Sequence, residues 1–120
     1  MQFVATSTTA DSQSMGYPHS LHSISTNADN QDVVSMGTDA ALIAAKAIDN
    51  AFTVIAIELI TLAQAVDVLK SSARLSVKSR ELYEKVRKEV PVIIEDRSFS
   101  GELNSLIKKI QNGHGAVESW

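Results

Sequence analysis

Residues 38–70 read TDAALIAAKAIDNAFTVIAIELITLAQAVDVLK. From Ala40 to Val66, 20 of 27 positions are apolar, and no proline or glycine interrupts them. The run predicts a single helix of roughly 45 Å at 1.5 Å rise per residue. Thr38 is a suitable N-cap, and Asp39 in the first turn favours the helix dipole. On a helical wheel Lys46, Asp49, Asn50, Thr53, Thr61, Gln64 and Asp67 share one narrow polar stripe. The remainder is apolar except Glu58, which points about 120° away from Lys46. A helix apolar around most of its circumference is buried on several sides. This one therefore needs more neighbours than the chain supplies, which implies oligomerisation or a further partner. A membrane span is the rival reading and needs about 20 residues nearly free of charge. Lys46, Asp49, Glu58 and Asp67 break every such window, so no membrane partner is expected.

Outward from this helix the pattern weakens. Residues 1–15 place Phe3, Val4, Ala5, Ala10 and Met15 among many Ser and Thr, and predict a helix that needs partners. It opens at Met1 without an N-cap, as a piece of a larger element would. Residues 16–37 read as a loop, with Gly16, Pro18 and a cluster of Ser, Thr, Asn and Asp. A polar connection this long is uncommon in a compact domain and is often functional. Residues 78–90 predict an amphipathic helix with Leu82, Val86 and Val90 inward. Its charged residues, Lys78, Arg80, Glu81, Glu84, Lys85, Arg87, Lys88 and Glu89, are expected in solvent. Glu81 with Lys85 and Glu84 with Lys88 have the favourable i,i+4 spacing. Pro91 ends this helix, and Val92-Ile93-Ile94 is a short apolar connection. Ser100 is the expected cap of a last helix carrying Leu103, Leu106, Ile107 and Ile110, which Asn112-Gly113 stops. The expected fold is all-α: part of an elongated helical bundle with one long central helix and two shorter C-terminal helices. Residues 1–113 form that segment, and residues 114–120 are expected to fray.

Composition narrows the function classes. The chain has 120 residues and a net charge of −3, which argues against nucleic acid as a main partner. No cysteine is present, so no disulfide, thiolate metal site or thiol nucleophile is available. Only six residues are aromatic (Trp 1, Tyr 2, Phe 3), so the core is aliphatic and alanine-rich. Residues 1–69 carry seven acids and one base, and residues 70–120 carry ten bases and seven acids. That asymmetry fits a mostly buried first part and a solvated second part. No signal peptide or other address is apparent at Met1, so a cytoplasmic location is expected.

Few constellations carry chemistry. His19 and His22 are three apart, a ligand spacing on a helix, but they sit in a proline-containing loop with no third ligand, so no metal is expected. No GxxxxGK[ST] or GxGxxG phosphate loop occurs. Glu58 is a candidate proton-linked group if buried on its apolar face; paired with a base or amide from a neighbour, it is structural. Asn27-Ala28-Asp29-Asn30-Gln31-Asp32-Val33-Val34-Ser35-Met36-Gly37-Thr38 packs amides and carboxylates directly before the long helix. Those groups suit either a small polar ligand at the helix N-terminus or local turns within the loop.

The stretch from Ser23-Ile24-Ser25-Thr26 through Asn30-Gln31-Asp32-Val33-Val34-Ser35-Met36-Gly37-Thr38 resembles the aromatic amino acid lyase family, which includes histidine, phenylalanine and tyrosine ammonia-lyases and related aminomutases. Ile57-Glu58-Leu59-Ile60 with Ala63-Gln64-Ala65 resembles the family's long central helix. Val86-Arg87, Val90-Pro91 and Asp96-Arg97 resemble its C-terminal region. The resemblance spans roughly residues 1–112 and corresponds to the last part of a family member. It implies a helical tetramer that eliminates ammonia from an aromatic amino acid, using a methylidene-imidazolone made from an internal Ala-Ser-Gly. It places Asn30 and Gln31 near that electrophile and the substrate amine. Histidine lyases commonly have a glutamate where Gln31 stands, so the amide looks more like the phenylalanine and tyrosine enzymes and aminomutases. A glutamine cannot serve as a general base at neutral pH.

Ala-Ser-Gly does not occur in this chain, and Tyr17, Tyr83 and Arg74 are not in the family's catalytic tyrosine or arginine motifs. No complete catalytic set is therefore expected, and the chain alone should be inactive. The prosthetic group is expected only in a complementing N-terminal lyase portion. The sequence thus points to a C-terminal fragment or split subunit of such a lyase. The alternative is a non-catalytic helical oligomerisation module derived from the family.

Overall fold

The computed structural model describes residues 1–18, 21 and 36–113. Among them are four α-helices, α1 (Gln2–Ser14), α2 (Gly37–Val68), α3 (Val77–Glu89) and α4 (Ser100–Gln111), with a 3-10 turn at Ser72–Arg74 and no strand. The all-α expectation, with one long helix and two shorter ones following, holds. The chain divides into two compact units, Met1–Ala51 and Phe52–Trp120.

The first unit comprises α1 and the N-terminal half of α2. α1 has no buried residue. Its hydroxyls bond back to carbonyls of the preceding turn, as Thr6 does to Gln2 O at 2.9 Å and Thr9 to Ala5 O at 2.9 Å. This habit makes Ser and Thr tolerable inside a helix without making them good helix formers. Asp11 ties α1 to α2: Lys46 Nζ is 3.3 Å from its Oδ2, and Asn50 Nδ2 donates to it at 2.9 Å. Asn50 also donates to Ser12 Oγ at 3.1 Å.

The second unit holds the core. Its buried apolar residues are Ala56, Ile57, Ile60 and Ala63 of α2, Val86 and Val90 from α3 and its cap, and Leu106 and Ile110 of α4. The α2 set follows the i, i+1, i+4, i+7 pattern of one helical face. α3 lies against α4, and Glu89 joins them by accepting from Ser105 Oγ at 3.1 Å and from Lys109 Nζ.

Four local expectations need correction. α2 begins at Gly37, not after a Thr38 cap: Met36 O accepts the first helical bond from Ala40 N at 3.0 Å. Ser100 does not cap α4; it is the first helical residue, and Phe99 occupies the cap without a side-chain bond. Arg87 is not solvated, its side chain being only 11% exposed. Glu58 is not buried; it is exposed, because the chain covers only one side of α2. Conversely, Ser76 is a true cap of α3, its Oγ accepting from Ser79 N at 3.2 Å.

α2 ends in a Schellman arrangement, with Ser71 N bonding Val66 O and Lys70 N bonding Asp67 O, both at 3.0 Å. Lys70 holds the left-handed position with φ 49°, where glycine is usual. Gly113, with φ 64°, fills the same role after α4. By length and composition α2 is long and apolar enough to cross a membrane, with a stretch of mean hydropathy 1.8. Its five charged residues, Asp39, Lys46, Asp49, Glu58 and Asp67, remain the physical argument against a span.

Candidate functional site

Asn30 and Gln31 lie outside the described residues, as do His19, His22 and the expected frayed tail 114–120. The described end of their motif is Met36-Gly37-Thr38. Met36 has φ 47°, the left-handed region that a long side chain rarely adopts. Strained backbone of this kind costs on the order of 1–3 kcal/mol and clusters at functional sites. Here it falls at the turn where the amide-rich motif enters α2. Asp39 sits in the first turn beyond it, at the positive end of the helix dipole.

In the second unit the polar stripe of α2 builds a clamp that sequence reasoning missed. Gln64 grips the backbone of Ile93 on both sides: Nε2 donates to Ile93 O at 2.8 Å, and Ile93 N donates to Oε1 at 3.1 Å. Arg87 Nη2 donates to the same Oε1 at 3.2 Å, and its Nη1 donates to Val90 O at 3.0 Å. Asp67 Oδ2 lies 2.6 Å from Arg87 Nη2. That contact pairs the charges without hydrogen-bond alignment, so Asp67 Oδ2 and Arg87 Nε are buried polar atoms lacking a hydrogen bond among the described residues. The Tyr83 hydroxyl donates to the other oxygen of Asp67. This bond to a carboxylate, and then burial, raise the Tyr83 pKa above its ordinary 10.0. The Arg87 guanidinium lies 5.9 Å from the Tyr83 ring centre, within cation–π range.

The clamp orders chain; it has no reactive group to spare. Gln64 is engaged with Ile93 and Arg87, and Asp67 is paired with Arg87 and accepts from the Tyr83 hydroxyl. A nearby open pocket of about 380 Å³ is lined by Ser72, Ala73, Arg80, Tyr83 and Glu84. Arg80 reaches Ala73 O at 3.4 Å there. Among the described residues no group of three His, Asp or Glu side chains is placed to hold a metal. Glu58 is exposed and forms no salt bridge among the described residues. Tyr83 belongs to the clamp, and Arg74 is exposed in the 3-10 turn. The signal for the clamp was present in Ala63-Gln64-Ala65 and Val86-Arg87, whose partners are more than twenty residues away and cannot be read from local spacing.

Comparison with known proteins gives these observations a context. A sequence model described as "Aromatic amino acid lyase" matches residues 1–88. The chain is 39% identical over 103 residues to a histidine ammonia-lyase of Macrococcus caseolyticus, covering 86% of this chain and 20% of that protein. It is 39% identical over 106 residues to a histidine ammonia-lyase of Geobacillus kaustophilus, covering 88% of this chain and 21% of that one. A crystal structure of tyrosine aminomutase from Streptomyces globisporus superimposes with a TM-score of 0.91 and 33% identity, over 98% of this chain and 22% of the mutase. The chain thus spans about a fifth of the length of the relatives it matches. With the match covering most of its residues and the four helices superimposing closely, this chain belongs to the aromatic amino acid lyase family.

Proposed function

We propose that the chain acts as the C-terminal portion of an aromatic amino acid ammonia-lyase or aminomutase, contributing the Asn30-Gln31 loop to an active site completed by the rest of the enzyme. The observation that carries this reading is the family match at 39% identity over a fifth of a lyase, in a sequence with no Ala-Ser-Gly. That tripeptide is the precursor of the electrophile implied by the resemblance. The residues of this chain therefore do not supply the group, and no chemical step is assigned to the chain alone. Removing a weakly acidic β-proton requires an electrophile and a base. Asn30 and Gln31 offer amide donors and acceptors, which orient and do not deprotonate. In this reading they hold the substrate amine against the electrophile of the complementing portion. The group is supplied by that portion, and the assembly is an oligomer in the cytoplasm.

The test is reconstitution with the N-terminal four-fifths of the Macrococcus caseolyticus histidine ammonia-lyase, following aryl acrylate absorbance with histidine, phenylalanine and tyrosine in turn. The chain alone should give no product, and the mixture should give it. Gln31→Ala should lower turnover of the mixture on the order of a hundredfold, as loss of a positioned donor does. Unchanged turnover would remove the site assignment. A second reading, a non-catalytic helical module, is favoured by the exposed Leu42, Ile48, Ile55 and Leu62 along α2. Under that reading no mixture turns over substrate.

A further inference from the structure

We infer that Gln64 is a latch: it holds the connection between α3 and α4, residues 91–99, as a strap against α2, and its release frees α4 as a unit while α2 and α3 stay folded. The inference stands apart from the lyase reading and uses only contacts within the second unit.

The strap has little to hold it down by burial. Residues 91–99 carry no helix or strand, and from 91 to 98 every residue except Ile93 is exposed. Even the apolar Ile94 is 90% exposed. Gln64 holds the segment by its backbone instead, donating from Nε2 to Ile93 O at 2.8 Å and accepting at Oε1 from Ile93 N at 3.1 Å. The two bonds satisfy both main-chain polar groups of one residue, as a neighbouring strand does. α4 depends on that anchor. Its 12 residues are a length that is marginal for a helix in isolation. Its cap residue, Phe99, makes no side-chain bond, and it buries only Leu106 and Ile110.

Arg87 sets which way the amide faces. Its Nη2 donates to Gln64 Oε1 at 3.2 Å. A guanidinium has donors alone, so the amide oxygen must face it and the amide nitrogen is left for Ile93 O. Arg87 is fixed in turn by Asp67 Oδ2 at 2.6 Å, and its Nη1 donates to Val90 O at 3.0 Å and to Pro91 O at 3.4 Å. The Tyr83 hydroxyl steadies Asp67 from the other side. Strap, α2 and α3 thus meet at one guanidinium. Asp67 Oδ2 and Arg87 Nε are buried there without a hydrogen bond among the described residues. That cost is relieved when the strap lifts and water reaches them, so the latch is poised to open. The other ties of α4 lie in solvent: Lys109 pairs with Glu89 through a side chain that is 52% exposed, and Arg97 pairs with Glu102 at 2.5 Å near the surface. Water competes for such pairs, and they contribute little.

Native-state hydrogen exchange of the purified chain, read amide by amide, tests the latch, with far-UV circular dichroism to check that each variant keeps its helices. In the unaltered chain Leu106 and Ile110 should exchange faster than Ile57 and Ile60. Gln64→Met keeps the length of the side chain and loses both bonds to Ile93. It should speed exchange at Leu106 and Ile110 about tenfold or more. Lys109→Ala cuts the exposed tie and should change those rates by less than about threefold. Gln64→Glu keeps an acceptor for Arg87 and Ile93 N but loses the donor to Ile93 O. It should speed the same amides about threefold or more, and it decides the question if the methionine variant does not fold. If the Gln64 variants speed Ile57 and Ile60 but leave α4 unmoved, the latch breaks only when the whole unit unfolds, and the proposal is overturned. A larger effect from Lys109→Ala than from Gln64→Met overturns it as well.

Discussion

Met1–Ala51 and Phe52–Trp120 share one long helix, yet they use it in opposite ways. In the first unit no described residue is buried, and Lys46 and Asn50 reach Asp11 at the surface. In the second gather all eight buried apolar residues found among the described residues, and Gln64 and Asp67 reach Arg87, Tyr83 and Ile93 in a largely enclosed clamp. The two polar groups of the stripe are chemically alike. Their weight differs because water competes for Asp11 and is excluded around Arg87, whose side chain is 11% exposed against 62% for Lys46. The second unit is a small domain core with its own fastenings. The first, which carries the amide motif in its sequence, has fastenings and no buried residue among its described residues.

The sharpest way to break that contrast is to cut an aliphatic side chain in each unit. Ile60 is fully buried, and Ile60→Ala should cost about 3 kcal/mol, seen as a large fall in Tm. Leu42, 66% exposed in the first unit, should tolerate alanine within about 0.5 kcal/mol. Equal losses would contradict the division. Next come the ion pairs. Arg87→Ala strips a mostly buried carboxylate of its partner and frees the Ile93 segment, and should cost about 2–3 kcal/mol in denaturant melts. Lys46→Ala should leave the melt unmoved, since exposed pairs contribute little.

A smaller effect separates the clamp from the core. Tyr83→Phe removes one hydrogen bond to Asp67 and should cost about 1 kcal/mol. The folded Tyr83 pKa lies above its unfolded value of 10.0. Its contribution is therefore fully present below pH 10 and is lost as pH rises through the higher folded value. The phenylalanine variant should lack that alkaline loss, read by Tm against pH. Smallest is Lys70→Gly at the left-handed end of α2, which should stabilise by about 0.5–1 kcal/mol by relieving the positive φ.

The helices were legible in the sequence because their cores are written locally: Leu106 and Ile110, or Val86 and Val90, sit four apart, and Pro91 and Gly113 punctuate them. The helix starts were less so. Thr38 and Ser100 look like caps by residue type, but a left-handed Met36 and a preceding Phe99 take those positions. Arg87 reads as solvated because it stands in a run of charges; its burial depends on Gln64 and Asp67, twenty-odd residues earlier. Glu58 misleads the other way. The wheel puts it among apolar residues, and burial there requires a neighbour that one copy of this chain does not provide. Asn30 and Gln31 came from resemblance and not from local chemistry, which equally allowed a self-bonded loop.

Native-state hydrogen exchange on the chain alone tests the contrast most directly, because each amide reports the opening of its own unit. The account predicts slow exchange at Ile57–Ala63, Val86–Val90 and Leu106–Ile110, and exchange through α1 faster by orders of magnitude. Protection of α1 equal to that of the second unit would contradict it.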